Sequence, residues 1–324
     1  MNSFPWLEDH LRQWQQLVLA NKVPHAMLLS GSKGLAKNAL AKHMAHIALC
    51  ENLTPSGVCG ACKSCQLIAA GNHTDLTTVK AEKSVIKVDQ IRALMQKVVL
   101  SSSRSHHRLI IIENAELMNK SSANALLKTL EEPPPNVLII LSCNDIGRML
   151  ATIKSRCVKI NVTTPDHAMT QQWLNQQLSA SEQEQQLSLL LANGAPLIAQ
   201  SILENNILPT FSDMLLDLQI LATNRNSVLA ISKKWLTNEC CLHLVLIASY
   251  FLSMLRLSEL GEETSKSLQF FNPLRLTHVP DIAGKTLNFI SQIHLFLKRM
   301  DTSLKAELLL EELLIGWQNE FIQK

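Results

Sequence analysis

The spacing of hydrophobic residues changes about halfway along this chain. Up to about residue 165, short apolar runs alternate with stretches in which apolar residues recur at helical spacing. The strand-like runs are AMLLS, LTTVK, RLIIIEN and VLIILSCN, which begin at Ala26, Leu76, Arg108 and Val137. Strands that alternate with helices indicate a parallel β-sheet covered on both faces. The first half of the chain is therefore predicted to be an α/β domain.

Beyond the sequence TTPDH, the pattern predicts helices only. Capping signals delimit three helices, and these signals are Thr164 with Pro165, Ser181 with Glu184, and Gly194 followed by Pro196. From about Pro209 the chain is rich in leucine and ends in the amphipathic run SLKAELLLEELLIGWQNEFI. We therefore predict an α/β domain over 1–165, a three-helix domain over 166–207 and a helical C-terminal domain over 208–324.

The composition indicates a soluble globular protein. The chain has 324 residues, of which 47% are hydrophobic, and this suffices for two or three domains. The first residues, MNSFPWLEDHLRQWQ, lack the features of a signal peptide, and no run reaches the roughly 18 apolar residues of a membrane span. A cytoplasmic location without a membrane partner is therefore expected. The formal net charge of +3 is too small to indicate a nucleic-acid groove.

Four of the eight cysteines lie close together in CENLTPSGVCGACKSC, at Cys50, Cys59, Cys62 and Cys65. Gaps of two residues allow successive thiolates to bind one ion, and a closed set of four sulfurs is typical of structural zinc. Buried thiols, a redox pair and an iron–sulfur cluster are the alternatives. A zinc finger that reads DNA is less well supported. Between the first and last cysteine the only charged residues are Glu51 and Lys63, and aromatic residues are missing there.

A second candidate site is SGSKGLAKNAL, which approaches the phosphate-loop pattern G-x-x-x-x-G-K-[ST]. Gly31 and Lys37 have the right separation, but Ala36 replaces the second glycine and Asn38 replaces the hydroxyl that holds magnesium. The strand RLIII is followed by Glu113, which could hold magnesium. It is also followed by Asn114, which cannot polarise an attacking water. These residues leave open whether the chain is an ATPase.

Further motifs resemble the clamp-loader branch of the AAA+ proteins. They are NALLKTLEEPPPNVLIILSCN, LATIKSRC, VPHAMLLSG, VIKVDQIRAL and the four-cysteine insertion. The resemblance is strong up to about residue 165 and weaker after that residue. It implies a RecA-like domain with an inserted zinc module at 50–65, a helical lid and a helical collar domain that joins a ring of subunits. Such a ring loads a sliding clamp onto primed DNA during replication. The shortness of the chain favours a subunit other than the motor, which usually carries long C-terminal extensions.

The departures from the active members of that family concern ATP chemistry. Ala36, Lys37 and Asn38 stand where those members have G-K-[ST], and Glu113 and Asn114 stand where they have Asp-Glu. Leu197 takes the place of a nucleotide-sensing arginine of the lid helix. Each loss removes a contact that stabilises charge in phosphoryl transfer. The loop with Gly31, Lys37 and Asn38 is therefore predicted to be a remnant without productive ATP binding. The chain is then no enzyme on its own but an accessory subunit of a DNA polymerase holoenzyme.

Arg156, by contrast, lies in an intact SRC motif. Taken alone, one arginine is typical of a solvated or ion-paired side chain. The resemblance implies that it acts as an arginine finger in the nucleotide site of a neighbouring subunit. A planar guanidinium suits that task, since it offers two donors to phosphate oxygens. Cys157 is expected to pack and Ser155 to orient the turn.

The partners implied by the resemblance are ATPase motor subunits, a clamp-opening subunit and, through the complex, the sliding clamp and primed DNA. Two other functions stay open from the residues. An active ATPase with an unorthodox loop is supported by Lys37 and Glu113, and a zinc-dependent DNA-binding protein is supported by the four cysteines. The leucine-rich helices after residue 209 could equally form a homodimer.

Overall fold

The computed structural model of the chain describes residues 4–100, 107–223, 228–236, 240–260, 281–300 and 305–321, with the backbone alone at 97–100 and 257–260. The chain divides into two compact units, Met1–Met169 and Thr170–Lys324. The predicted domain boundaries near 165 and 208, and with them the separate lid and collar, stay predictions.

The first unit is built on a five-stranded parallel sheet. Its strands are β1 (Ala26–Ser30), β2 (Leu76–Val79), β3 (Arg108–Ile112), β4 (Val137–Cys143) and β5 (Val158–Asn161), in the order β2-β3-β4-β1-β5. Its helices are α1 (Glu8–Leu19), α2 (Lys37–Leu49), α3 (Lys63–Ala69), α4 (Val88–Leu100), α5 (Lys120–Glu131) and α6 (Ala151–Lys154). The predicted α/β class is confirmed, and four of these strands were expected. The edge strand β5 was not, because three of its four residues are exposed and give no hydrophobic signal.

The central strands are apolar along their whole length because both faces of the sheet are covered. All five residues of β1 and all seven of β4 are buried. Since the strands are parallel, their carboxyl ends lie at one edge of the sheet. The segments that follow β1, β3 and β4 therefore meet there, and they carry the residues of the candidate nucleotide site.

The second unit is helical, as predicted. Its helices are α7 (His167–Gln177), α8 (Glu182–Leu191), α9 (Pro196–Glu204), α10 (Ile207–Thr223), α11 (Val228–Leu236), α12 (Cys240–Leu260), α13 (Ile282–Arg299) and α14 (Ala306–Phe321). The first of these, α7, begins shortly before the start of the unit at Thr170. Among the described residues no single helix could span a membrane. One pair, bent by 112° between Val228–Leu236 and Cys240–Arg256, qualifies by length and composition alone.

Two of the three predicted helix boundaries are confirmed. Ser181 and Glu184 form a complete capping box, and Gly194 follows α8 with a φ of 76°. The start of α7 differs from the prediction of a cap at Thr164. The carboxylate of Asp166 accepts a hydrogen bond from the backbone N–H of Met169 at 2.7 Å. Asp166 is therefore the cap, because its side chain reaches the N–H groups of the first turn.

The core of the second unit contains indole rings whose N–H groups are satisfied. Trp317 donates to the carbonyl of Leu218 at 2.8 Å. Trp235 donates to Asp217 at 2.9 Å, and the same carboxylate pairs with Lys234 at 2.8 Å. These bonds offset the cost of burying the polar groups, which would otherwise oppose packing of the helices.

Candidate nucleotide site, arginine finger and metal site

The loop between β1 and α2 keeps a tightly turned backbone. Gly31 has a φ of 151°, and a Cβ atom at this position would collide with the carbonyl oxygen of Val162. Ala36, the residue before α2, has φ 61° and ψ 26°. Glycine adopts this left-handed conformation without strain, whereas alanine does so at a cost of about 1 kcal/mol. The replacement of the second glycine has therefore left the turn itself in place.

The side chain of Lys37 is turned into the protein. It is 5% exposed, and its Nζ donates to the carbonyl of Ser32 at 2.6 Å and to Oδ1 of Asn144 at 2.8 Å. Burial lowers the pKa of Lys37, while the nearby Cys143 and Glu116 act in the opposite direction. Two of the three ammonium donors are thus engaged by the chain itself.

Both the nitrogen and the oxygen of the Asn38 side-chain amide form hydrogen bonds. Its Nδ2 donates to Oε2 of Glu113 at 3.2 Å, and its Oδ1 accepts from the hydroxyl of Ser142 at 2.6 Å. Glu113 is buried, and its two oxygens pair with Lys42 and with Lys80, each at 3.5 Å. An amide and two largely exposed lysines therefore compete with a magnesium ion for this carboxylate, although Oε1 accepts no hydrogen bond among the described residues.

A further polar residue joins this group, and the sequence analysis missed it. Asn144 directly follows β4, and its Nδ2 donates to Oδ1 of Asn114 at 2.9 Å and to Oε1 of Glu116 at 3.0 Å. The backbone N–H of Asn114 is bonded to Ser142 at 3.1 Å. The available signal was a polar residue immediately after a buried strand. The structure thus places the predicted residues in two hydrogen-bonded groups. Asn144 bonds Lys37 and Asn114, whereas Asn38 bonds Glu113 and Ser142. Gly31 lies in the loop that precedes Lys37.

Two further predicted residues belong to other segments of the chain. Leu197 is the second residue of α9, in the second unit. Arg156 precedes β5, whereas the loop containing Gly31 follows β1. Because these strands are parallel neighbours, the two lie toward opposite ends of the strands. Arg156 is therefore not positioned to act on its own loop.

The guanidinium of Arg156 is held by its own chain. Its Nη2 pairs with Oε1 of Glu131 at 2.6 Å. Its Nη1 donates to the carbonyl of Thr152 at 2.9 Å and to the hydroxyl of Ser155 at 3.4 Å. The side chain is 33% exposed. Cys157 is buried, which raises the pKa of its thiol to about 11 and suits packing rather than reaction.

The four predicted metal ligands form one cluster. The Sγ atoms of Cys50, Cys59, Cys62 and Cys65 all lie within 4.8 Å of one another. The distances from Cys50 to Cys59 and to Cys65 are both 3.7 Å, and that from Cys59 to Cys65 is 3.9 Å. Four sulfurs at about 2.3 Å from a tetrahedral zinc would be about 3.8 Å apart. The donor set therefore fits zinc.

Backbone N–H groups point at two of these sulfurs and favour the thiolate form of Cys59, whereas burial raises the pKa of Cys50 and of Cys65. The N–H of Cys62 is directed at Sγ of Cys59 at 3.4 Å, and that of Cys65 at Sγ of Cys62 at 3.3 Å. Hydrogen bonds from the backbone of Cys62 and then Ala61 lower the pKa of Cys59 to about 6. A lowered pKa favours the charged sulfur that binds a metal.

A buried histidine fastens the cysteine module to the sheet. His73 accepts a hydrogen bond at Nδ1 from the backbone N–H of Asp75 at 3.1 Å, and its Nε2 is 2.6 Å from Oγ of Ser64. Nε2 must then carry the proton and donate to Ser64. Burial lowers the pKa of His73, which keeps the ring neutral. Because the ring cannot accept the proton of Ser64, this pair is a structural contact and not an activated nucleophile.

Comparisons with known proteins place this chain beside replication proteins. Residues 6–166 match the family described as DNA polymerase III, delta subunit. The chain is 32% identical to DNA polymerase III subunit delta′ of Pseudomonas aeruginosa, over 97% of each protein. It is 34% identical to the delta′ subunit of Yersinia pestis, over 63% of this chain and 62% of that protein. Among solved structures, a DNA polymerase III gamma subunit-related protein from Thermotoga maritima has a TM-score of 0.45 and 18% identity, covering 95% of this chain and 99% of that one.

Proposed function

The chain belongs to the family of DNA polymerase III delta′ subunits, and we propose that it acts in the clamp loader without hydrolysing ATP, supplying Arg156 to ATP bound by a neighbouring subunit. In this role it stabilises the ring that opens the sliding clamp and loads it onto primed DNA. Motor subunits and a clamp-opening subunit are its partners. A cytoplasmic location follows, because bacterial DNA is replicated in that compartment.

The observation that carries the first part of this proposal is the pairing of Asn38 with Glu113 and Ser142. In an active site these positions hold magnesium through a hydroxyl and a carboxylate. Here the amide of Asn38 bonds both the carboxylate of Glu113, through Oε2, and the hydroxyl of Ser142. Asn114 lacks the basicity to polarise a water. Binding ATP productively would require breaking several of these bonds without replacing the missing groups.

The role of Arg156 is supported by its distance along the sheet from its own loop and by its accessibility. A partly exposed guanidinium at a subunit surface can reach a phosphate on another chain, where it neutralises charge that develops in phosphoryl transfer. The four cysteines are proposed to hold one structural zinc. A closed set of four sulfurs leaves no position for substrate, so the ion would stabilise the module over 50–65 rather than take part in a reaction.

Reconstitution tests this proposal. The purified chain is mixed with the motor and clamp-opening subunits, and the complex is separated by size-exclusion chromatography and assayed for clamp loading. We expect one copy of this chain in the ring and no loading without it. An isolated chain that hydrolyses ATP would instead identify an ATPase, and one that binds DNA in a salt-sensitive manner would identify a DNA-binding protein.

A further inference from the structure

Arg156 is bound by a carboxylate on another helix of its own chain. Glu131 is the last residue of α5, and its Oε1 lies 2.6 Å from Nη2 of the arginine. Glu131 is 49% exposed and Arg156 33% exposed, so solvent and a neighbouring subunit can reach both side chains. A distance this short indicates a charge-assisted hydrogen bond.

The pair has no net charge, and this affects what the guanidinium can do. A triphosphate is attracted to an arginine by its positive charge, which the adjacent carboxylate cancels. The carboxylate also repels phosphate oxygens that approach the same nitrogen. The finger therefore exerts its full effect on phosphate only after Nη2 has separated from Glu131.

Glu131 is not needed to keep the arginine in place. Nη1 is held independently by the carbonyl of Thr152 and by the hydroxyl of Ser155, both on the segment that carries the arginine. Nη2 can leave Glu131 while these two bonds persist. A phosphate can then take the place of the carboxylate at Nη2.

We propose that Glu131 masks the charge of Arg156 in a neutral pair until the phosphates of ATP on a neighbouring subunit displace the carboxylate. This inference rests on the proposed function, since it requires that Arg156 acts in trans. In the complex, Glu131 makes engagement of the finger depend on close approach of the two subunits. It thereby lowers ATP hydrolysis in rings that have not yet closed on clamp and DNA.

The test uses clamp loaders reconstituted with full-length chains. Glu131→Gln keeps a side chain of equal size but removes the charge that competes with phosphate. We expect the KM for ATP of the complex to fall and the ATPase rate without clamp and DNA to rise. Both changes should be about two- to fivefold, the size of a partly exposed ion pair. The kcat with clamp and primed DNA should stay close to that of the original chain, so the stimulation ratio falls.

A matched control is Glu132→Gln, which changes the exposed carboxylate that directly follows Glu131. Among the described residues Glu132 forms no ion pair. It should leave KM and basal rate unchanged. The double variant Glu131→Gln with Arg156→Ala should behave like Arg156→Ala alone, because the carboxylate acts only through the arginine.

The outcomes separate this inference from the proposed function. Suppose that Arg156→Ala lowers the stimulated ATPase rate but Glu131→Gln leaves KM and basal rate unchanged. The competition between carboxylate and phosphate is then refuted, whereas the role of Arg156 as a finger is supported. A fall in kcat with Glu131→Gln would mean that the carboxylate orients the finger instead. If Arg156→Ala has no effect, the proposed function itself fails.

Discussion

The ammonium of Lys37 donates a hydrogen bond to the side-chain oxygen of Asn144 at 2.8 Å, across two neighbouring strand ends. A phosphate-loop lysine in a working ATPase directs its ammonium at the outer phosphates. Here the contact connects the loop after β1 to the residue after β4. The lysine therefore stabilises this edge of the sheet. It has a structural role here that does not depend on nucleotide binding.

The isolated protein is expected neither to bind ATP tightly nor to hydrolyse it. This expectation rests on the departures from the nucleotide-binding pattern proposed at Ala36, Asn38, Asn114 and Leu197. Asn38→Thr should be insufficient to restore turnover, because Asn114 still supplies no base. Isothermal titration calorimetry and a phosphate-release assay check both proteins. Micromolar ATP binding together with turnover in the original chain would contradict this expectation.

One zinc per chain should be retained through purification without added metal. Cys62→Ser is expected to lose the ion and to increase hydrogen exchange over residues 50–65. The parallel sheet should stay folded, because the cysteines lie between the end of α2 and the first turn of α3, outside the sheet. Elemental analysis and circular dichroism are the measurements. Cys241→Ser is the matched control and should keep its zinc, since Cys241 lies outside the cluster. Full zinc content in Cys62→Ser would show that the ligand set is wrong.

Arg156→Ala should leave zinc content and ring assembly near normal but lower the ATPase rate stimulated by clamp and DNA, and impair clamp loading. A finger in trans can contribute on the order of a thousandfold in a GTPase, but other sites in the ring dilute the loss. Arg156→Lys should rescue little, because an ammonium lacks the two-pronged geometry. Steady-state ATPase assays and clamp-loading assays on complexes reconstituted with each variant measure these losses.

The control for that experiment is Arg148→Ala, which removes another exposed arginine from the connection between β4 and α6. It should retain the original rates. Original rates in the Arg156→Ala complex would mean that Arg156 is an ordinary surface residue. Equal losses in both variants would point to a general effect of surface charge on assembly.

Gly31→Ala should destabilise the first unit by about 2–4 kcal/mol, because it combines backbone strain with a collision. The added Cβ would meet the carbonyl oxygen of Val162, which cannot move without disturbing the strand edge. Gly71→Ala separates the two effects, since Gly71 has a φ of 71° but open space around it. That variant should cost only about 1 kcal/mol. Urea unfolding followed by circular dichroism compares them, and equal losses would show that the collision is unimportant.

The sequence by itself determined the features that depend on neighbours along the chain. The runs that became β1 to β4 could be identified because burial on both faces requires continuous apolar residues. The capping box of Ser181 and Glu184 was predictable because it is closed within one turn. The cysteine cluster followed from short spacings, and the departures in the phosphate loop could be read by comparing single positions with a pattern.

The tertiary structure alone decided which distant groups meet. β5 was missed because three of its four residues are exposed, so its pairing with β1 leaves no hydrophobic pattern in the sequence. Asn144 and Glu131 received no role from the sequence, since each acts on a residue far along the chain that the sheet brings near. Hydrogen bonds and ion pairs act over a few ångströms in space, whatever the separation in sequence. The engagement of Lys37 by Asn144 and of Arg156 by Glu131 therefore emerged only from the folded chain.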